Sequence, residues 1–190
     1  MSIAATALDR AQRGWHGGLH LSRTNMVPLL SQQALQYLTQ WFSLKSLCVA
    51  VWTSLSPAAA QMRDANEIAD SIATAVLEAD GPVFRNAEED AAILAVWAYY
   101  ETGGSLSRHP RPQSWDAKAG LSCGVWQQRC STLPPTILGQ ARAELTLMRN
   151  GAVLCPAQPM APLSGGCHAA RKLADRRVAK TRQLLESLER

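Results

Sequence analysis

Glu101 closes an apolar run, Ala91-Ala92-Ile93-Leu94-Ala95-Val96-Trp97-Ala98-Tyr99-Tyr100, and is succeeded at once by Thr102-Gly103-Gly104. The run reads as a helix with apolar residues on every face, and the two glycines read as its stop. A carboxyl group at that point sits at the C-terminal end of the helix, half sunk among aromatic rings. Burial penalises its anion, and the negative end of the helix dipole repels it. The position therefore suits a proton-donating carboxylic acid, the requirement of general acid catalysis near neutral pH.

A second segment, Gly120-Leu121-Ser122-Cys123-Gly124-Val125-Trp126-Gln127-Gln128, combines glycine, an amide and an indole within a few residues. Around these two segments the chain reads as mainly α. A helix is expected from Asp64 to Ala79 on the spacing of Ile68, Ile72 and Val76/Leu77, stopped by Asp80-Gly81-Pro82. The helix that ends at Glu101 is expected to start at Asn86, with Asn86 as N-cap and Glu89 completing a capping box. A further helix is expected after Ser131-Thr132, with Pro134/Pro135 in its first turn, Ile137/Leu138, Ala141, Leu145 and Met148 as its apolar positions, and Asn150-Gly151 as its end. The last runs from about Ala169 to Leu188, with Leu173, Val178, Leu184 and Leu185 as a stripe and its many arginines and lysines as a solvated face. Residues 105 to 130 are expected to be irregular or β-like.

Taken together, Glu101-Thr102 at a helix end, then a loop, then Gly124-Val125-Trp126-Gln127 resembles the lytic transglycosylases and goose-type lysozymes, in which a catalytic Glu-Ser ends a helix and a Gly-Leu-Met-Gln segment comes after it. The resemblance spans roughly residues 62 to 190. It implies a lysozyme-like helical domain over 61–190 that cleaves the MurNAc-GlcNAc β-1,4 bond of peptidoglycan, with Glu101 as general acid and then base. It assigns substrate contact to Thr102, Gly124 and Gln127. Gln127 offers an amide to sugar N-acetyl groups, and Gly124 allows close backbone approach. Trp115 and Trp126 have faces suited to stacking on pyranose rings. No cofactor and no metal is implied. The family's Tyr-Asn run has no clear counterpart, which leaves a second expectation: a degenerate lysozyme-fold module that grips cell-wall glycan without cutting it. Asp116 is read as a turn residue or as a second carboxylate for water activation, and His109 as a surface residue.

The remaining features concern organisation. In 190 residues, 19 Lys and Arg against 15 Asp and Glu give a net charge of +4, a mild excess and weak ground for a nucleic-acid partner. Peptidoglycan strands are the expected partner, and a monomer the expected state. No stretch suits a stable membrane span. Residues 1–60 are expected to be an N-terminal extension containing a signal-peptide-like segment at 44–60, where Lys45 precedes Leu47–Leu55 and then Pro57-Ala58-Ala59-Ala60-Gln61. Met26 is then a candidate start. The competing reading makes 29–55 one amphipathic helix. Four cysteines lie beyond the segment, Cys123, Cys130, Cys155 and Cys167. Local pairing as Cys123–Cys130 and Cys155–Cys167 is favoured over zinc ligation, since no C-x-x-C pair occurs. Export is then expected, to a periplasm, to the extracellular space or with a phage virion or lysis system.

Overall fold

The computed structural model describes residues 31–110, 113–114, 121–156 and 171–188, with backbone alone for 113–114 and 171–175. Among them five helices carry the fold: α1 (Gln32–Leu55), α2 (Ala65–Leu77), α3 (Ala87–Glu101), α4 (Ile137–Leu154) and α5 (Arg171–Leu188). Three short strands, β1 (Gln113–Ser114), β2 (Leu121–Cys123) and β3 (Gln128–Arg129), form one antiparallel sheet in the order β1-β2-β3. The mainly-α expectation holds, and the β-like segment lies where it was expected.

α3 is the central element. Glu89 to Ala98 are all buried, so it has no solvent-facing side over that stretch. Its N-terminus is tied down by side chains. Asn86 accepts a hydrogen bond from the Glu89 N–H at 2.8 Å, the cap expected of it. The Glu89 carboxylate accepts from the Arg85 N–H at 3.2 Å, one residue short of a reciprocal capping box. Asp90 accepts from the N–H groups of Val83 and Phe84 at 2.7 and 2.9 Å, which satisfies donors the turn would otherwise leave bare.

α1 packs against α3 and α2 through Leu44, Cys48, Val51 and Trp52, spaced as one helical face. The facing alanines of α3 let it approach closely. Trp52 Nε1 donates to the Ala95 carbonyl at 2.8 Å, and Trp41 Nε1 donates to Thr74 Oγ1 at 3.0 Å. The expected division at residue 60 is therefore corrected: Gln32 to Arg190 forms one compact unit, and the packing runs straight through the segment read as leader-like. An apolar run of nine residues serves a leader or a core helix equally, and only its partner decides. Residues 1–30 lie outside the described residues.

Two other boundaries shift. Thr136, not the prolines, caps α4, accepting from the Gly139 N–H at 3.0 Å. The helix passes through Asn150-Gly151 to Leu154, with Gly151 buried. No helix among the described residues is long and apolar enough to cross a membrane.

Candidate functional site

Glu101 ends α3 as expected, and the chain stops the helix there with a tightly bonded turn. Thr102 Oγ1 donates to the Ala98 carbonyl at 2.8 Å and accepts from the Leu106 N–H at 3.0 Å. Gly103 and Gly104 take the left-handed region, φ 61° and 81°, and turn the chain so that Leu106 re-enters the core fully buried. Thr102 is itself buried, and its hydroxyl is spent within this turn. It shapes the end of α3, and a direct substrate contact is not available to it in this arrangement.

The Glu101 side chain is 13 % exposed and forms an ion pair with Arg177 of α5, itself 12 % exposed. The guanidinium carbon lies 4.3 Å from the Trp97 ring centroid and 5.3 Å from that of Tyr100, a cation held between aromatic faces. The sequence places Glu101 half sunk among aromatic rings. The aromatics are there, and they hold Arg177 against the carboxyl group. The expectation that the basic run of α5 is a solvated face is corrected accordingly. Arg177 reaches Glu101, and Arg182 Nε reaches Glu89 Oε1 at 2.7 Å, so α5 grips α3 near both its ends. Arg176 and Lys180 do face solvent.

The Gly124–Gln128 segment is a turn pressed onto the helices. Trp126 is 3 % exposed and its Nε1 donates to the Leu94 carbonyl of α3 at 3.1 Å. Its ring is core, so the expected stacking on a sugar is corrected: neither face is open. Gly124 has φ 76°, and a Cβ there would stand 2.5 Å from Gln140 Oε1 and 2.8 Å from Leu133 Cδ1. The close approach of α4 and the positive φ are each enough to require glycine here, with no ligand needed to explain it. Gln140 Oε1 accepts from the Val125 N–H at 3.1 Å, fixing the turn on α4. Gln127 also has positive φ, 51°, unusual for a residue with a Cβ. Its Nε2 donates to the Gly124 carbonyl at 3.3 Å, while its buried Oε1 has no hydrogen-bond partner among the described residues.

The next residue brings in a group that the sequence reading passed over. Gln128 Nε2 donates to the Gln140 carbonyl at 3.0 Å and to Glu144 Oε2 at 2.9 Å. Glu144 is 1 % exposed. Burial pushes its carboxyl up to about 7 against the pull of the Gln128 hydrogen bond, and the nearby negative charge of Glu101 adds to the rise. The signal was present in the chain: Ile137, Ala141, Glu144, Leu145 and Met148 share one helical face, so a carboxylate stands on a stripe otherwise apolar.

The expected disulfide Cys123–Cys130 ties the end of β2 to the residue just after β3, with Cα atoms 5.0 Å apart, and closes the turn carrying Gly124 to Gln128. Cys155 is disulfide-bonded. Cys167, its expected partner, lies outside the described residues, as do Trp115 and Asp116. His109 is exposed, as expected. The elements therefore bring Glu101, Gln128, Glu144 and Arg177 into one neighbourhood, and give Thr102, Gly124 and Trp126 to the frame around it. Comparison of the chain with protein families, with curated proteins and with solved structures finds no match.

Proposed function

We propose that this chain is a lysozyme-like enzyme that cleaves peptidoglycan strands at the MurNAc-GlcNAc β-1,4 bond, as a lytic transglycosylase or a glycosidase, with Glu101 as general acid and base. The observation that carries the reading is the convergence of its two motif segments. The helix ending in Glu101 and the turn Gly124-Val125-Trp126-Gln127 are joined by the Trp126–Leu94 hydrogen bond, and Glu144 lies under the same turn. Glu101 delivers a proton to the leaving glycosidic oxygen, and Gln127, whose buried amide oxygen has no hydrogen-bond partner among the described residues, is the amide that would accept from a sugar N–H. Arg177 has to leave Glu101 before the carboxyl group can donate, because an ion pair is the partner of the carboxylate form.

Export to a periplasm or the extracellular space, or carriage by a phage, belongs to the same proposal, and the Cys123–Cys130 disulfide supports it. The enzyme works as a monomer on glycan strands and needs no nucleic acid. The Arg177–Glu101 pair favours a second reading, in which the chain is a degenerate module that binds glycan without cutting it. A zymogram on purified cell wall decides between them. Clearing that disappears in Glu101→Gln supports the enzyme, and the mass of the product, anhydro or hydrated, tells lyase from hydrolase. Retention on cell wall without clearing supports the binding module.

A further inference from the structure

We propose that α5 is an autoinhibitory strap: its Arg177 occupies Glu101 at rest, and glycan reaches the acid when α5 lifts from α3. The inhibition rests on the glycan-cleaving reading, whereas the lifting of α5 as a separate unit does not. The first observation is what the helix covers. With Arg177 in place, the Glu101 side chain is 13 % exposed and the guanidinium itself 12 %. The same guanidinium lies over the Trp97 and Tyr100 rings, at 4.3 and 5.3 Å from their centroids. One side chain of α5 thus takes the carboxyl group and the aromatic faces beside it together, and leaves a sugar little of either.

The second observation is how the helix is held. α5 packs on α3 and, more lightly, on α1. Among its described side chains Thr181 and Leu184 are buried, and Val178 and Leu185 only partly so. The Thr181 hydroxyl donates to the Arg177 carbonyl at 2.9 Å, within its own helix. α3, by contrast, buries every residue from Glu89 to Ala98. The grip of α5 therefore leans on two arginines, Arg177 at Glu101 and Arg182 Nε at Glu89, 2.7 Å apart. Neither contact is hard to give up. Arg177 Nε is buried with no hydrogen-bond partner among the described residues, so its seat satisfies the guanidinium only in part. Arg182 is 47 % exposed, and Glu89 keeps Arg85 when Arg182 leaves. A helix with few buried apolar side chains, tied on by ion pairs, belongs to the part of a fold that opens first.

The test is hydrogen–deuterium exchange of the full chain, read by mass spectrometry, with Arg177→Met and Arg182→Met beside it. In the unaltered chain the amides of 176–188 should exchange ahead of those of α3, a comparison that needs no variant to fold. Arg177→Met should quicken α5 by roughly ten- to a hundredfold, as the loss of one charged hydrogen bond would, and leave α3 protected. Arg182→Met should do the same to a smaller degree, because its pair is half open to solvent. If α5 and α3 exchange at one rate, or quicken together, α5 is part of a single cooperative core and the strap is overturned. Clearing of purified cell wall judges the inhibition. Arg182 touches α3 at the far end from Glu101, so Arg182→Met should clear several-fold faster than the unaltered chain by freeing the strap alone. Where the unaltered chain clears, equal or slower clearing by folded Arg182→Met overturns the inhibition. If no sample clears while α5 exchanges ahead of α3, the glycan reading is lost and the strap over Glu101 is kept.

Discussion

Arg177 is paired with Glu101 across 76 residues of chain, and the same guanidinium lies over the ring of Trp97, one helical turn before Glu101. The C-terminal helix thus covers the carboxyl group that the sequence singles out. Any chemistry at Glu101 is tied to how firmly α5 sits on α3.

Arg177→Met should separate the roles of that contact. The pair is mostly buried, so losing its charged hydrogen bond and leaving Glu101 unmatched should cost about 2 kcal/mol of stability. Arg176→Met, on the exposed side of the same helix, should cost nearly nothing. Denaturant melts of both variants check this, and equal midpoints would mean that the Glu101 contact adds no stability.

Glu101→Gln should abolish glycan cleavage while keeping the fold. The amide retains size and cannot deliver a proton, so the loss should reach at least the ~10²–10⁴-fold typical of general acid–base catalysis. Turnover assays on purified peptidoglycan measure it. Near-normal rates would remove Glu101 from the chemistry.

Glu144 gives stability a sign with pH. Its carboxyl is raised from 4.5 to about 7 in the fold, so the folded chain holds a proton there that the unfolded chain has released. The stabilisation is fully present below the ordinary glutamate range, declines as pH rises through that window, and is gone above about 7. Its total is on the order of 3 kcal/mol. Glu144→Gln stays neutral throughout, so its melting temperature should climb relative to the unaltered chain between acid and neutral pH. Parallel curves would show that Glu144 is not protonated in the fold.

Removal of residues 1–60 should not be neutral. α1 buries Leu44, Cys48, Val51 and Trp52, and Trp52→Ala alone should cost about 3–5 kcal/mol through the cavity it leaves. A chain beginning at Gln61 should lose cooperative unfolding, read by calorimetry. A sharp, unchanged transition would return the leader reading to favour.

How far the sequence could be read differs from element to element, for physical reasons. α3 was legible because its cap, its unbroken apolar run and its glycine stop are all local in the chain. The Cys123–Cys130 pairing was legible from short spacing. α1 was ambiguous because an export signal and a core helix need the same apolar residues, and the alanine-lined surface that receives it lies on another helix. Gly151 was misread as a terminator, since a buried glycine inside α4 carries no local mark of its neighbours. Glu144 went unnoticed, although its place on the face of Ile137, Ala141 and Met148 was visible. Asp116, read as a turn residue or a second carboxylate, lies outside the described residues, whereas Glu144 stands on a helix that only folding packs against the Gly124–Gln128 turn.

Cys48 extends this in another direction. It is the free thiol among the described residues, fully buried where α1 meets α3, and burial pushes it up to about 12. In the closed protein it is beyond the reach of an alkylating reagent and almost wholly protonated. Each lift of α1 from its neighbour uncovers it, so the rate of its modification counts those openings one by one. The chain carries its own clock for how often the core breathes, placed on the helix whose membership in that core the sequence left undecided.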